Sequence, residues 1–474
     1  MSTQVNEKVS LAKENVIDVG SVSIDSIINL RAKMKGKDKA STSSVSYIER
    51  EREIVKTGNI VARLQDKMEL TSQQDMMAEY CSIFRVPNSF RNVKPEAYTP
   101  RLISIGPLHR GNEKLKGMEE QKLRYFKEFA QRDGMDRKKI MDLVMCIQDK
   151  EAYIRACYSE NFNEIESSDF IEMILLDAVF IIEFFQHSND GKYGNFKPSM
   201  IFYIREDLML LENQLPFFII KQIHDEACHA RQETISYPFL YLASVYFASV
   251  YFGKYMFSQG VRLTDDEKGT KHLTDMIRSF MLKGSIQCNY YRFSPVKLKY
   301  NAAMLRQAGM KFQVTENICL VNITFEEGVL KIPRLEVDYC FERLVRNIMA
   351  FEQCFTPSEA YVCNYIMFMD HLIDSAEDVE LLAQNRIIHN LLGGGAALSN
   401  MINKLCETIP DTCTCYDEIC GEMNAYYENR WNHRKAPLKL VYFPNIWRGT
   451  ATVAAAILLI LTFIQAVCSV ISLF

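Results

Sequence analysis

Along most of this chain apolar residues recur every three to five positions, with charged residues between them. Leu115, Met118, Leu123, Phe126 and Phe129 form one such set, and Lys116, Glu120, Lys127 and Glu128 suit the wet face. That spacing predicts an amphipathic helix. Similar patterns cover residues 170–185, 204–224, 340–352 and 377–390, and a further amphipathic helix is expected over 45–69 with Ile48, Val55, Leu64 and Met68 among its apolar positions. The pattern changes over residues 311–337. There Ile318, Leu320, Val321, Ile323 and Phe325 precede Glu326-Glu327-Gly328, and Val329, Leu330 and Ile332 follow, which predicts a β-hairpin turning at Gly328 with Pro333 closing an edge strand. Residues 451–474 carry no charge. At about 1.5 Å per residue they reach roughly 36 Å, enough to cross a hydrocarbon core of about 30 Å. The expected fold is therefore mainly α: a large multi-helix body with a small β-hairpin and a C-terminal transmembrane helix.

Composition divides the chain further. Residues 1–44 are polar, with Arg31, Lys33, Lys35, Lys37 and Lys39 leading into Ser41, Thr42, Ser43 and Ser44, and read as a flexible segment. Residues 45–435 form one helical body, 436–450 a juxtamembrane segment and 451–474 the span. Arg430, His433, Arg434, Lys435, Lys439 and Arg448 precede the span, which favours a single-pass C-terminal anchor with a cytosolic body. Charged residues interrupt every apolar stretch before residue 40, so no signal peptide is expected. The lipid bilayer is the first expected partner. A net charge of -4 and the lack of a basic, aromatic stripe argue against nucleic acid as another. The 14 cysteines are scattered and suit free thiols in a reducing compartment, with Cys413, Cys415 and Cys420 as the only local cluster.

No catalytic residue or cofactor is assigned from the sequence. Gly106 and Gly111 have phosphate-loop spacing, but Asn112-Glu113 stands where Lys and Ser/Thr are required. Ser104 lacks the flanking glycines of a nucleophile elbow. His224, Cys228 and His229 are the metal candidates: four residues apart on a helix, His224 and Cys228 share a face, while His229 points about 100° away. Asp370, His371 and Asp374 could orient an imidazole, although such charges also form surface pairs. Glu212-Asn213-Gln214 is a polar triplet between apolar runs. Buried, it would form a hydrogen-bond network or line a ligand pocket, with Arg205 and Arg85 as counter-charges. Gly393-Gly394-Gly395 is expected to end a helix carrying Ile387 and Leu391.

Several phrases resemble one plant family, the domain-of-unknown-function 247 family, also called uncharacterised protein family 0481. They include Ile83-Phe84-Arg85-Val86-Pro87, Ile103-Ser104-Ile105-Gly106-Pro107-Leu108-His109, Met118-Glu119-Glu120-Gln121-Lys122 and Arg205-Glu206-Asp207-Leu208-Met209-Leu210-Leu211-Glu212-Asn213-Gln214-Leu215-Pro216. Asn347-Ile348-Met349-Ala350-Phe351-Glu352-Gln353, Tyr442-Phe443 and Trp447 also fit. Where the family often has Asp-Gly-Cys-Phe, this chain has Asp177-Ala178-Val179-Phe180, so that segment reads as helix packing. The resemblance implies plant origin and a C-terminal membrane helix. Grass members that look like pollen-side determinants of self-incompatibility imply recognition of a protein partner. The expected function is thus a membrane-anchored, non-enzymatic recognition or signalling protein; the alternative is a membrane-associated hydrolase or metal-dependent enzyme.

Overall fold

The structure is a computed structural model. It describes residues 81–192, 196–231, 237–251, 269–282, 295–315, 319–407, 409–410, 414–437 and 446–471, with five residues between 56 and 63. The polar segment 1–44, most of the helix expected over 45–69, Ile318 and Cys413 lie outside the described residues. Residues 77–474 make one compact unit.

The first half contains α1 (Glu119–Ala130), α2 (Arg137–Asp149), α3 (Ser167–Asn189), α4 (Pro198–Leu208), α5 (Phe217–Arg231), α6 (Phe239–Tyr251) and α7 (Leu273–Met281). Local chemistry starts several of them: Asp136 Oδ1 accepts the Lys139 amide at 2.8 Å, and Pro198 opens α4 where a missing N–H costs nothing. Helix α3 is apolar nearly all round, so it can only be central. Helices α1, α2, α5 and α6 pack on it, and Phe180, Phe184 and Phe185 meet Tyr125 and Tyr246 there.

Three strands follow: β1 (Lys311–Thr315), β2 (Thr324–Glu326) and β3 (Val329–Pro333) form a sheet in the order β1-β3-β2. The expected hairpin is β2 and β3, paired antiparallel from Glu326↔Val329. Glu327 (φ 49°) and Gly328 (φ 77°) make its two-residue turn, the positive φ values that suit the right-handed strand twist. Pro333 closes the central strand, not an edge, because β1 pairs with β3 in parallel. Cys319–Ile323 forms a turn-rich approach instead of the start of a strand.

The second half runs β4 (Leu335–Val337), α8 (Phe341–Phe355), α9 (Tyr361–Leu372), α10 (Ala376–Gln384), β5 (Ile388–Asn390), α11 (Gly395–Cys406), α12 (Asp417–Glu428), α13 (Arg430–Pro437) and α14 (Ile446–Ile471). Two sequence expectations change. Residues 204–224 are not one helix: α4 ends at Leu208, and Pro216, which disfavours helical geometry at the residue before it, precedes α5. Residues 377–390 break after Gln384, where Arg386 takes φ 60° and Ile388–Asn390 pairs in parallel with β4. Ile387 and Leu391 are therefore not on a helix, and Gly394 instead caps the start of α11. Helix α14 begins five residues before the expected span and presents apolar side chains outward, Leu459 and Phe463 being 72% and 71% exposed. It is apolar and long enough to cross a membrane.

Candidate functional site

The break between α4 and α5 holds Glu212, Asn213 and Gln214, all buried. A carboxylate without solvent is costly unless its oxygens are bonded. Glu212 accepts the Val86 amide at 2.6 Å and Arg85 Nη1 at 3.3 Å, pairs with Arg91, and has His109 Nε2 3.2 Å from Oε2. Burial would push its pKa up. The contacts with His109, Arg91 and Val86 outweigh this and hold the carboxyl below its usual value. Arg85 also grips Glu160 with two bonds of 2.7 and 2.8 Å, the bidentate geometry a guanidinium allows.

The two amides bond mainly to backbone. Asn213 Oδ1 accepts the Ile105 amide at 2.7 Å, and Nδ2 donates to the Ile103 and Asp207 carbonyls at 3.1 and 3.0 Å. Gln214 Nε2 donates to the Leu208 and Leu210 carbonyls at 2.7 and 2.8 Å, while Oε1 accepts the Leu273 amide at 3.0 Å. Asp207 accepts three successive amides, Arg101 to Ile103, between 2.7 and 3.0 Å, together with Arg343 Nη2 at 3.2 Å. The triplet thus ties the 83–109 loop to α4 and α7, and Asn347 on α8 joins by accepting the Leu211 amide at 2.9 Å.

Two buried groups beside this hub were not singled out by the sequence reading. Asp177 of α3 accepts the Gly106 amide at 2.7 Å and sits 2.6 Å from Lys122 Nζ of α1. Burial works against that ammonium, but Asp177 and Glu119 outweigh it and raise its pKa. His272 accepts the Asp275 amide through Nδ1 and donates from Nε2 to the Ser82 carbonyl at 3.0 Å, which defines a neutral tautomer. The available signal was a charge on an otherwise apolar helix face: Asp177, and Glu183, which takes Arg132 Nη1 at 2.6 Å. Arg205 lies elsewhere, stacked 5.1 Å over Phe202 and 3.7 Å from Cys340 Sγ. The Gly106 amide is already engaged by a carboxylate, and the Ser104 carbonyl accepts Lys122 Nζ at 2.6 Å.

His224 and Cys228 do share a face of α5, with Sγ 3.6 Å from Nε2. The His229 side chain lies outside the described residues. Burial lowers the His224 pKa, but contacts with Asp225 and Cys228 outweigh it and carry the value to about 9. Among the described residues no three His, Cys, Asp or Glu side chains converge as a metal site. Asp370 contacts Cys406 of α11, where burial first and Asp374 second push its carboxyl up to about 6. His371 instead lines a small pocket with Phe368 and Tyr416. A cleft of about 450 Å³ opens beside α5, lined by Tyr153, Cys157, Phe217, Lys221, Asp225 and Lys271 among others. No disulfide joins any two described cysteines.

The fold and hub define a mainly helical protein whose irregular loops are locked by buried charge, followed by one strongly apolar helix. The sequence profile of a plant protein family of unknown function, DUF247, matches residues 83–461, and the chain belongs to that family. A UPF0481 protein of Arabidopsis thaliana is 27% identical over 437 residues, covering 83% of this chain and 87% of its own length. A putative UPF0481 protein from the same plant is 23% identical over 485 residues, with 83% and 91% covered. No solved structure matches the chain. The phrases that carry the family resemblance converge in space: segments 83–87, 103–109, 118–122, 205–216 and 347–353 each supply a member of the hub.

Proposed function

We propose that this is a membrane-tethered, non-enzymatic recognition protein whose helical body faces the cytosol and binds a protein partner. One observation carries the reading. Helix α2 has two apolar faces, and only one is satisfied internally. Leu143 and Ile147 are buried, with α2 packed on α3, whereas Met141 and Met145 are each 55% exposed. With Ala130, Met135, Arg137, Ile140 and Val144 they line a cleft of about 450 Å³. Methionine is flexible and polarizable, and a helix or loop with apolar anchors fits such a groove. The buried polar hub supports the same reading, since its side chains bond to the protein's own loops. Helix α14 supplies the tether, and the basic residues before it support a cytosolic body.

Proximity labelling from the full-length protein in plant membranes tests this against the Met141→Asp/Met145→Asp variant. Both substitutions sit at exposed positions, so fold and membrane retention should be unchanged. The account expects a reproducible set of labelled proteins that the variant loses at least tenfold. Identical label sets would remove the groove from the account, and turnover of a small-molecule substrate by the purified full-length protein would overturn the non-enzymatic reading.

A further inference from the structure

Helix α13 carries the sequence Arg430-Trp431-Asn432-His433-Arg434-Lys435-Ala436-Pro437. Its attachment to the body is specific. Asn432 Nδ2 donates to the Tyr426 carbonyl at 2.8 Å, and His433 Nε2 donates to the Tyr427 carbonyl at 2.7 Å, so the helix is pinned to the end of α12. Those bonds leave the other side outward. Trp431 is 65% exposed, Arg430 and Arg434 are exposed, and the Arg434 guanidinium lies 5.7 Å over the Trp431 ring. An indole beside cations pairs an apolar ring with charged neighbours, the combination that suits a membrane–water interface.

Charge and chain length say what the partner is. From Asn429 to Phe474 the chain has no acidic residue, whereas Arg430, Arg434, Lys435, Lys439 and Arg448 are basic. The neighbouring acid, Glu428, is already held by Lys299 Nζ at 3.1 Å and Tyr300 Oη at 3.2 Å. Only residues 438–445 separate α13 from α14. Fully extended, they reach roughly 30 Å, so a spanning α14 keeps α13 within that distance of the bilayer.

We infer that α13 binds the surface of an anionic lipid leaflet, with its basic side chains on the headgroups and Trp431 at the interface. This rests on the reading of α14 as a span. Each cation near such a surface contributes roughly fivefold in affinity, and indoles favour the interfacial layer. The contact would fix the orientation of the body on the membrane.

The chain has two tryptophans, Trp431 and Trp447, so each can be read alone in the full-length protein. Trp447→Phe and Trp431→Phe variants are reconstituted into phosphatidylcholine vesicles with or without phosphatidylserine, each containing brominated lipid as quencher. The expected result is Trp447 quenching in both mixtures. Trp431 should shift to the blue and be quenched only with phosphatidylserine, and high salt or Arg430→Glu/Arg434→Glu/Lys435→Glu should abolish that response. Trp431 unresponsive to phosphatidylserine, or equally quenched without it, while Trp447 is quenched, would overturn the α13 inference alone. An unquenched Trp447 would overturn the span reading on which the inference rests.

Discussion

His272 shows how one buried residue couples this fold to pH. Both ring nitrogens are committed, one accepting from Asp275 and one donating to Ser82, and the ring is fully buried. Burial lowers its pKa to about 3 from an ordinary 6.5. The unfolded chain therefore takes up a proton below about pH 6.5 that the folded protein refuses. Stability from this residue is complete above that pH and is lost progressively down to about pH 3, at about 1.4 kcal/mol per unit. His272→Gln removes the titration. The stability gap between wild type and variant, from urea unfolding in detergent, should shrink by about 2 kcal/mol from pH 7 to pH 5. A gap constant with pH would mean that the ring titrates in the native state as it does in the unfolded chain. Glu212 differs in kind, because its cationic neighbours Arg85 and Arg91 are partly exposed and keep contact with water.

Among elements, the hub joins pieces that hydrophobic packing alone would leave loosely registered. Gly106 is the tightest joint: a Cβ there would lie 2.6 Å from the Gln214 carbonyl oxygen and 3.0 Å from Tyr158 Oη, at φ +70°. Gly106→Ala should destabilise the body by about 2–4 kcal/mol through strain and lost close approach, read as a lower melting temperature. A melting temperature equal to wild type would show that the loop relaxes freely. Much of the element pattern was legible because periodicity reports burial: residues 170–185 lie within α3, 340–352 overlap α8, and Gly328 turns the hairpin. The breaks after Leu208 and Gln384 were not legible. Apolar spacing continues through Met209–Leu211 and Ile387–Ile388; Pro216 marks only the far end of the first break, and tertiary bonds, the triplet to the 101–109 loop and β5 to β4, decide where helix stops. For the hub, Glu212-Asn213-Gln214 stood out because polar groups flanked by apolar runs need partners. Arg85 was named as a counter-charge, but Arg91, Lys122 and Asp177 come from distant segments that no local pattern links.

At the scale of the whole molecule, a body stiffened by buried charge ends in a helix whose apolar side chains face outward. Soluble packing offers no reason for that surface: twenty-six residues reach about 39 Å, close to what a tilted crossing needs. The proposed recognition role and the lipid contact of α13 both depend on this helix lying in a bilayer with the body on the cytosolic side. Protease digestion of sealed microsomes carrying the full-length protein, with epitopes at both termini, tests that arrangement directly. The account predicts loss of the epitope at Met1 and of the body, and survival in the membrane pellet of a short fragment bearing the C-terminal epitope. An N-terminal epitope protected until detergent is added, or a C-terminal fragment released to the supernatant, would contradict it.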